Sequence, residues 1–403
     1  MRVIYLHQYF NTPQMSGSTR SYEMARRLVA TGHKVHMITT DRTRLGHSGL
    51  RVTDEYGITV HWLPVPYSNC MSYNDRIKAF LRFAWKAAGR AASIPGDVVF
   101  ATSTPLTVAL PAAYAARRQQ IPMVFEVRDL WPELPIAVGA LQRPLIPPAL
   151  LLERFAYRNA AQIVALSPGM KDGIVCTGYP SERVHVIPNG ADLDLFSVPA
   201  SEGIAFRSQS GWLQDRPLLV YTGTLGRING VDYLARLAAA VQPLDPEIRF
   251  LVVGEGAEKQ RVLETARQLD VYERNFFIMS SLPKAQIPTV LSAADIATSL
   301  FVDLSPMWTN SANKFFDALA SGTPVAINYL GWQAKLLEET GAGIVLDVKD
   351  INRSAAQLLT LIQDRERLVE MGKAARRVAE EYFSRDHLVR QLEHVLLLAV
   401  EKR

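Results

Sequence analysis

Residues 2–40 impose the strongest limit on what this chain can become. Arg2–Leu6 is a short apolar run, and His7–Ser18 is a loop punctuated by Pro13 and Gly17. Thr19–Thr31 has helical spacing, with Tyr22, Ala25, Leu28 and Val29 on one face; Gly32 ends it, and Lys34–Thr40 is a second apolar run. A strand, loop, helix and strand in that order open a doubly wound α/β sheet. The pattern restarts at Pro217–Tyr221, with a loop over Thr222–Gly230, a helix over 231–242 and a strand over 248–253. At 403 residues the chain is long for one core. Length and restart together predict two similar α/β lobes, residues 1–196 and 197–384, with the polar stretch 197–216 as linker.

Composition is that of an ordinary globular protein, 48% apolar and 21% charged. The start MRVIYLHQYF turns polar too quickly for a signal peptide, and no run of about 18 apolar residues exists, so a cytoplasmic location is expected. Cys70 and Cys176 match no metal or redox spacing and read as buried thiols. The net charge of +5 is uneven: residues 1–180 hold 20 Lys/Arg against 11 Asp/Glu, and the remainder is acidic. A basic half suggests an anionic partner.

In the second lobe, Asn310–Val325 reads as a helix followed by a strand. Asn310 or Ser311 offers a side-chain oxygen as N-cap, Ala312–Ser321 is helix, Gly322 is placed for a left-handed turn, and Pro324 blocks continuation. Lys314 sits in the first helical turn, where a cation costs roughly 0.3–1 kcal/mol against the helix dipole. An anion there reverses the sign, so first-turn N–H groups plus an ammonium make a phosphate socket. Asp317, three residues on, shares the face and can accept from two hydroxyls of a ribose. The plainer alternative is a surface Lys314–Asp317 pair. In the first lobe, Gly17-Ser18 precedes a helix at the carboxyl end of the first strand, where ligands of such sheets sit and a glycine lets backbone N–H groups approach a phosphate. Arg128-Asp129-Leu130-Trp131-Pro132-Glu133 leaves the carboxyl end of the strand Pro122–Val127; Asp129 is a candidate for an acceptor hydroxyl or donor sugar, and the alternative is an Arg128–Asp129 ion pair.

Asn313-Lys314-x-x-Asp317-x-x-Ala320-x-Gly322-x-Pro324 resembles the donor helix of family 4 glycosyltransferases, the retaining, two-domain GT-B type. HQYFNTP…GSTRSYEMARRLVATGHKVHMITT and DLWPE are similar to the subgroup that builds bacterial surface polysaccharides. The resemblance implies two facing Rossmann-like lobes with a nucleotide sugar in the cleft, and a last helix, 385–403, crossing back to lobe one. It places Asp317 on the ribose, the loop at Gly17 and Ser18 over the diphosphate, and Asn310, Ser311, Ala312 and Asn313 at the donor. GTLGRING stands where the family's Gly-Arg-Leu-x-x-x-Lys-Gly binds diphosphate. Gly223 is retained, but Thr224 and Asn229 replace the two cations, leaving Arg227 and Lys314 to stabilise the leaving group. Thr309 stands where the wider family has the first of two glutamates. Gly254, in a tight turn, and Ser280, at a strand end able to pair with a base, complete the predicted donor site. Val253-Gly-Glu-Gly256 is not a dinucleotide fingerprint, because Lys259 replaces the third glycine. Asp192-Leu193-Asp194 lies in the family's hinge stretch rather than a metal site, so no metal or cofactor is expected, and the substrate is a nucleoside-diphosphate sugar, UDP-linked.

Ile77–Arg90 reads as an amphipathic helix. Ile77, Phe80, Leu81, Ala84, Trp85 and Ala88 form the apolar stripe, and Lys78, Arg82, Lys86 and Arg90 a cationic row with Phe83 among it. Core packing explains the stripe; docking on an anionic membrane explains the row. The partners implied are a nucleotide sugar, a lipid-linked glycan acceptor and the inner face of the cytoplasmic membrane, with no nucleic acid. A sugar-nucleotide epimerase of the same fold and a non-catalytic binding protein are the rival readings.

Overall fold

The computed structural model describes residues 1–15, 17–42, 49–67 and 71–401. The chain forms two units, Met1–Pro188 with the residues from Arg385 onward, and Asn189–Ser384. The first boundary falls eight residues before the expected position 196. Asn189 donates its backbone N–H to Ser311 Oγ at 3.0 Å, and Ala191 bridges to Ser384, so this segment is fastened to the second unit.

The first unit is an eight-stranded sheet of β1 (Arg2–Leu6), β2 (Lys34–Thr40), β3 (Arg51–Glu55), β4 (Ile58–Leu63), β5 (Val98–Thr102), β6 (Met123–Val127), β7 (Gln162–Ala165) and β8 (Val184–Val186). Their spatial order is β3-β4-β2-β1-β5-β6-β7-β8, all parallel except β3, which pairs antiparallel with β4. Tyr56 and Gly57 both have positive φ, as a two-residue hairpin turn requires. The sequence reading missed β3, whose alternating half-exposed residues carry no apolar run. The central strands are buried on both faces. Ile4 and Leu6 face the helices Tyr73–Ser93, Ala109–Gln119 and Ile146–Asn159; Val3 and Tyr5 face Arg20–Ala30 and the C-terminal helix Arg385–Glu401. That last helix is pinned by Arg27 to Asp386 (2.5 Å) and His33 to Glu393 (2.6 Å).

A buried ion pair ties this unit together. Arg20, first residue of its helix, donates to Glu126 on β6 at 2.9 Å and to the Ile187 and Pro188 carbonyls at 2.9 and 2.6 Å. Thr102 donates to the other Glu126 oxygen. Burial alone raises the Glu126 carboxyl, but Arg20, Arg128 and the Thr102 hydrogen bond outweigh it and hold it below its ordinary value.

The second unit has six parallel strands, β9 (Leu218–Thr222), β10 (Arg249–Val253), β11 (Phe276–Met279), β12 (Ile296–Ser299), β13 (Val325–Ile327) and β14 (Gly343–Val345), in the order β11-β10-β9-β12-β13-β14. Residues 197–216, read as a linker, contain the helix Ala200–Gln209. Gly203 lets it approach the helix Ile287–Ser292, since a Cβ there would lie 2.5 Å from the Ser292 carbonyl oxygen. Two helices, Ile351–Gln363 and Arg365–Tyr382, meet at Asp364, whose side chain caps the second.

The helix read as Ile77–Arg90 runs from Tyr73 to Ser93, with Ser72 as N-cap. Its buried face is Ala79, Phe83, Ala87 and Ala91; Leu81 and Trp85, assigned to the core stripe, are exposed, Trp85 at 84%. The small alanines let the helix lie close to the sheet, so the buried stripe is rotated from the one the large residues suggest. Phe83, placed among the cations, is fully buried. Cys176 is exposed rather than buried, lying in the last turn of the helix Pro168–Cys176. Cys70 lies outside the described residues.

Replacing Glu126 with Gln leaves Arg20 buried without its counter-charge. Removing one partner of such a pair costs roughly 3–5 kcal/mol, and the urea midpoint falls accordingly. Because the folded-state value of Glu126 is depressed, its contribution is present above the ordinary carboxylate range and is lost as pH falls through the folded value. The midpoint difference between wild type and Glu126→Gln therefore narrows toward acid.

Candidate functional site

Each sheet reverses its winding beside its first strand: between β1 and β5 in the first unit, and between β9 and β12 in the second. The crevice outside the carboxyl ends of such strand pairs is where open α/β sheets bind ligands. The predicted residues cluster there.

In the second unit, Lys314 lies in the first turn of the helix Asn313–Ala320 and reaches back over β9. Its Nζ donates to the Tyr221 hydroxyl at 2.8 Å and stands 4.5 Å and 5.2 Å from the Tyr221 and Phe301 ring centres. Among the described residues no carboxylate pairs with it, so the surface-pair alternative with Asp317 does not hold. Burial pushes the Lys314 ammonium down to about 7. Gly223 lies beside Lys314, where a Cβ would be 3.6 Å from Lys314 Cε, and the backbone of Gly254 packs on that of Gly223, where a Cβ would be 1.8 Å from the Gly223 carbonyl oxygen.

Asp317 is buried on the same helix. Lys284 Nζ donates to its Oδ2 at 2.5 Å, while Oδ1 is buried without a partner, leaving one oxygen to accept a ligand hydroxyl. The sequence reading missed Lys284, because a contact across 33 residues leaves no local pattern.

Several predicted donor contacts are used internally. Ser311 Oγ accepts from Asn189, and Asn189 Nδ2 donates to the Ser311 carbonyl. Asn310 Nδ2 donates to the Met307 carbonyl at 2.6 Å, and its Oδ1 accepts the Ala312 N–H at 3.2 Å. Neither residue is the helix N-cap; Ala312 is, without a side-chain bond. Asn313 opens the helix. Asn229 Oδ1 accepts the Gly226 N–H at 3.3 Å, so it shapes the loop instead of replacing a phosphate-binding cation. Thr224 is exposed, and its carbonyl accepts from Tyr221. Ser280 is exposed and donates to Glu255. Arg227 is exposed on a short 3-10 turn, with no side-chain partner among the described residues.

In the first unit, Arg128 and Ser18, far apart in sequence, meet: Nη2 donates to Ser18 Oγ at 3.0 Å. Arg128 Nη1 lies 3.5 Å from Nε2 of His7, the residue after β1. Burial, then Arg128 and Arg42, hold the His7 imidazole well below its ordinary value, and its Nδ1 is buried and unpartnered. The sequence reading left His7 as loop, though its position directly after the first strand was the available signal. Asp129 does not pair with Arg128. It accepts from Thr104 Oγ1 at 3.4 Å, and burial raises its carboxyl, with Arg128 and Thr104 opposing. Gly17, exposed with φ +127°, sits against the Asn11 side chain. Among the described residues no three His, Cys, Asp or Glu side chains group as metal ligands.

Lys86 and Arg90 are not free cations: Lys86 Nζ donates to the Pro64 carbonyl at 3.2 Å, and Arg90 Nε to His61 Nδ1 at 3.2 Å. Lys78 lies 3.5 Å from Asp75, and Arg82 is exposed.

Two family models match most of the chain. Residues 17–190 match the glycosyl transferase 4-like domain, and residues 204–378 match glycosyl transferases group 1. Among curated proteins, alpha-maltose-1-phosphate synthase of Mycolicibacterium smegmatis is 27% identical over 60% of this chain and 64% of its own length. D-inositol 3-phosphate glycosyltransferase of Segniliparus rotundus is 28% identical over 48% of this chain and 42% of its own length. The chain thus spans less than two thirds of these relatives. Anabaena HepE in complex with UDP superposes with a TM-score of 0.74 at 16% identity, covering 99% of this chain and 100% of that one. At that identity the likeness establishes the fold, which is GT-B.

Lys314 also sets a pH dependence. Its folded value, about 7, is below the ordinary lysine value of 10.5, so the unfolded chain binds the extra proton between them. Stability owed to this group rises as pH increases from 7 toward 10. Urea midpoints of wild type and Lys314→Met at pH 6 and pH 9 test this: the variant gains on wild type at pH 6, and its advantage shrinks at pH 9.

Proposed function

The chain belongs to the glycosyltransferases that these two models describe, and on that premise we propose that it moves a sugar from a nucleoside diphosphate to a hydroxyl of a glycan acceptor. The observation that carries this reading is Lys314: a buried ammonium without a carboxylate, beside two glycines, at the amino end of a helix. Such a group is stabilised by an anion of the size and charge of a diphosphate. The unpartnered Asp317 oxygen one turn along accepts from the ribose. The UDP bound by the structurally similar HepE supports uracil as the base.

In the reaction, the bond from the sugar's anomeric carbon to the diphosphate oxygen breaks, and a bond to the acceptor oxygen forms on the same face, retaining configuration. The electron pair leaves with the diphosphate. Lys314 and Arg227 supply positive charge where it accumulates, and the gain is larger in the transition state than in the ground state. The acceptor hydroxyl passes its proton to an oxygen of the departing diphosphate, on the same face, as the new bond forms. Asp129, with its raised carboxyl, orients that hydroxyl or the donor sugar, and Arg128 holds Ser18 at the diphosphate loop. No step uses a metal or cofactor.

We further propose that the acceptor is linked to polyprenyl diphosphate and that the protein works on the inner face of the cytoplasmic membrane. The DLWPE and N-terminal motifs support a role in surface polysaccharide synthesis, lipopolysaccharide O-antigen included. The helices Tyr73–Ser93, Ala109–Gln119 and Ile146–Asn159 lie side by side and carry nine Lys/Arg against Asp75 and the buried Glu153. Their outer surface exposes Leu81, Trp85, Tyr114 and Leu151 beside Lys78, Arg82, Arg118 and Arg154. No described helix is long and apolar enough to cross a membrane. Aromatic and aliphatic side chains among cations are the composition of an interfacial surface, each cation adding about 1 kcal/mol near an anionic leaflet.

Asp317→Ala weakens UDP binding by roughly 1.5–3 kcal/mol in calorimetry, the worth of hydrogen bonds to a charged group; unchanged affinity refutes the ribose assignment. Turnover persists in excess chelator; loss that magnesium or manganese restores would overturn the metal-free diphosphate site. The triple change Leu81→Ser, Trp85→Ser and Arg82→Gln abolishes co-sedimentation with anionic vesicles and spares turnover on a short water-soluble acceptor. Undiminished co-sedimentation removes this surface from the membrane reading.

A further inference from the structure

A second group of cations, without counter-ions among the described residues, stands on the first unit, at the carboxyl ends of β1, β2 and β4. Arg42 follows β2, and Arg76 lies in the first turn of the helix Tyr73–Ser93. Arg42 donates through Nη2 to the Phe10 carbonyl at 3.4 Å and to Asn11 Oδ1, both neutral, and its Nε is buried and unpartnered. Arg76 Nε is also buried and unpartnered. Neither forms an ion pair with any described carboxylate. Both guanidiniums act on the phenol of Tyr9, which shares a hydrogen bond with Tyr67; the two rings are 4.8 Å apart, and Arg42 stands 5.9 Å from the Tyr9 ring centre.

Two like charges drawn to one tyrosine pair repel each other, and each loses hydration on burial. Hydrogen bonds to neutral carbonyls do not offset both terms. An oxyanion carrying two charges does, because the guanidinium fork matches phosphate oxygens and each bond is charge-assisted. The tyrosine hydroxyls add donors that a phosphate oxygen accepts. From β6, which precedes Asp129, to β2 is three strand spacings, about 14 Å. A phosphate at Arg42 therefore belongs to a part of the ligand remote from a hydroxyl reacting near Asp129.

We infer that Arg42 and Arg76, with the Tyr9–Tyr67 pair, form a binding site for a phosphate-ester or diphosphate group on the acceptor. The assignment to the acceptor rests on the glycosyltransferase reading; the anion site itself does not. Two sources carry this chemistry, a soluble sugar phosphate and a membrane-held polyprenyl diphosphate.

The test is calorimetry on the full chain with inorganic pyrophosphate, in a Lys314→Ala background that removes the other candidate anion site. Arg42→Gln and Arg76→Gln each weaken pyrophosphate binding at least tenfold, while Arg42→Lys and Arg76→Lys retain most of it. Thermal unfolding of each variant, unchanged from the background, shows that the loss is not one of folding. Binding unaffected by both Gln changes, or no binding in the background protein, overturns the inference. Two further arms, glucose 1-phosphate in solution and undecaprenyl diphosphate in phosphatidylcholine vesicles, identify the source. Sensitivity of either arm to the two arginines supports the site, and insensitivity of both overturns its assignment to the acceptor. UDP binding is measured on otherwise wild-type protein; its failure counts against the glycosyltransferase reading and leaves the pyrophosphate comparison intact.

Discussion

A parallel sheet covered by helices on both faces exposes its backbone only at its two ends. Where the winding reverses, neighbouring loops part in opposite directions and leave the carboxyl ends of two strands open. Both units are built around such a point, β1/β5 and β9/β12. His7, Ser103, Thr104, Gly223 and Phe301 all follow one of these four strands within a few residues. The buried Arg20–Glu126 pair holds the first of these ends in shape, because one guanidinium joins a helix start, a central strand and the segment leaving β8.

Within that frame, cations are more informative than carboxylates. Many surface arginines and lysines lie beside an acid, as Arg216 does with Glu247 and Lys259 with Glu255. Among the described residues Lys314, Arg42 and Arg76 have no acid partner, and burial holds Lys314 and Arg42 below their ordinary values. Burying a cation opposite rings and neutral carbonyls is unfavourable in the empty protein, and a bound anion reverses the balance. Arg227 differs, being exposed and screened by water, so it contributes only when a ligand approaches.

Packing also reassigned residues that looked functional. Asn310, Ser311 and Asn229 have the side chains expected of ligand contacts, yet Asn310 and Asn229 each satisfy a backbone group of their own loop, and Ser311 one of the segment that follows β8. A buried amide without a partner costs more than a ligand contact returns in the empty protein. The cationic row of the helix Tyr73–Ser93 divided for a related reason. Lys86 and Arg90 lie over β4 and find acceptors there, whereas Lys78 and Arg82 face outward with Leu81 and Trp85.

The sequence by itself determined the doubly wound class and the two-unit division, and it singled out Lys314 and Asp317 as neighbours on one helix face; the return of the last helix was implied by the family resemblance. Periodicity, its restart and the spacing within a helix are local, where the covalent chain fixes which groups are neighbours. Only the tertiary structure decided the partners. Lys284 on Asp317, Tyr221 under Lys314, His7 beside Arg128 and Tyr67 against Tyr9 are contacts across 33, 93, 121 and 58 residues. The helix Tyr73–Ser93 buried its alanines and exposed its tryptophan for the same reason: the sheet it packs on selects for close approach, and no single segment carries the shape of the surface it will meet.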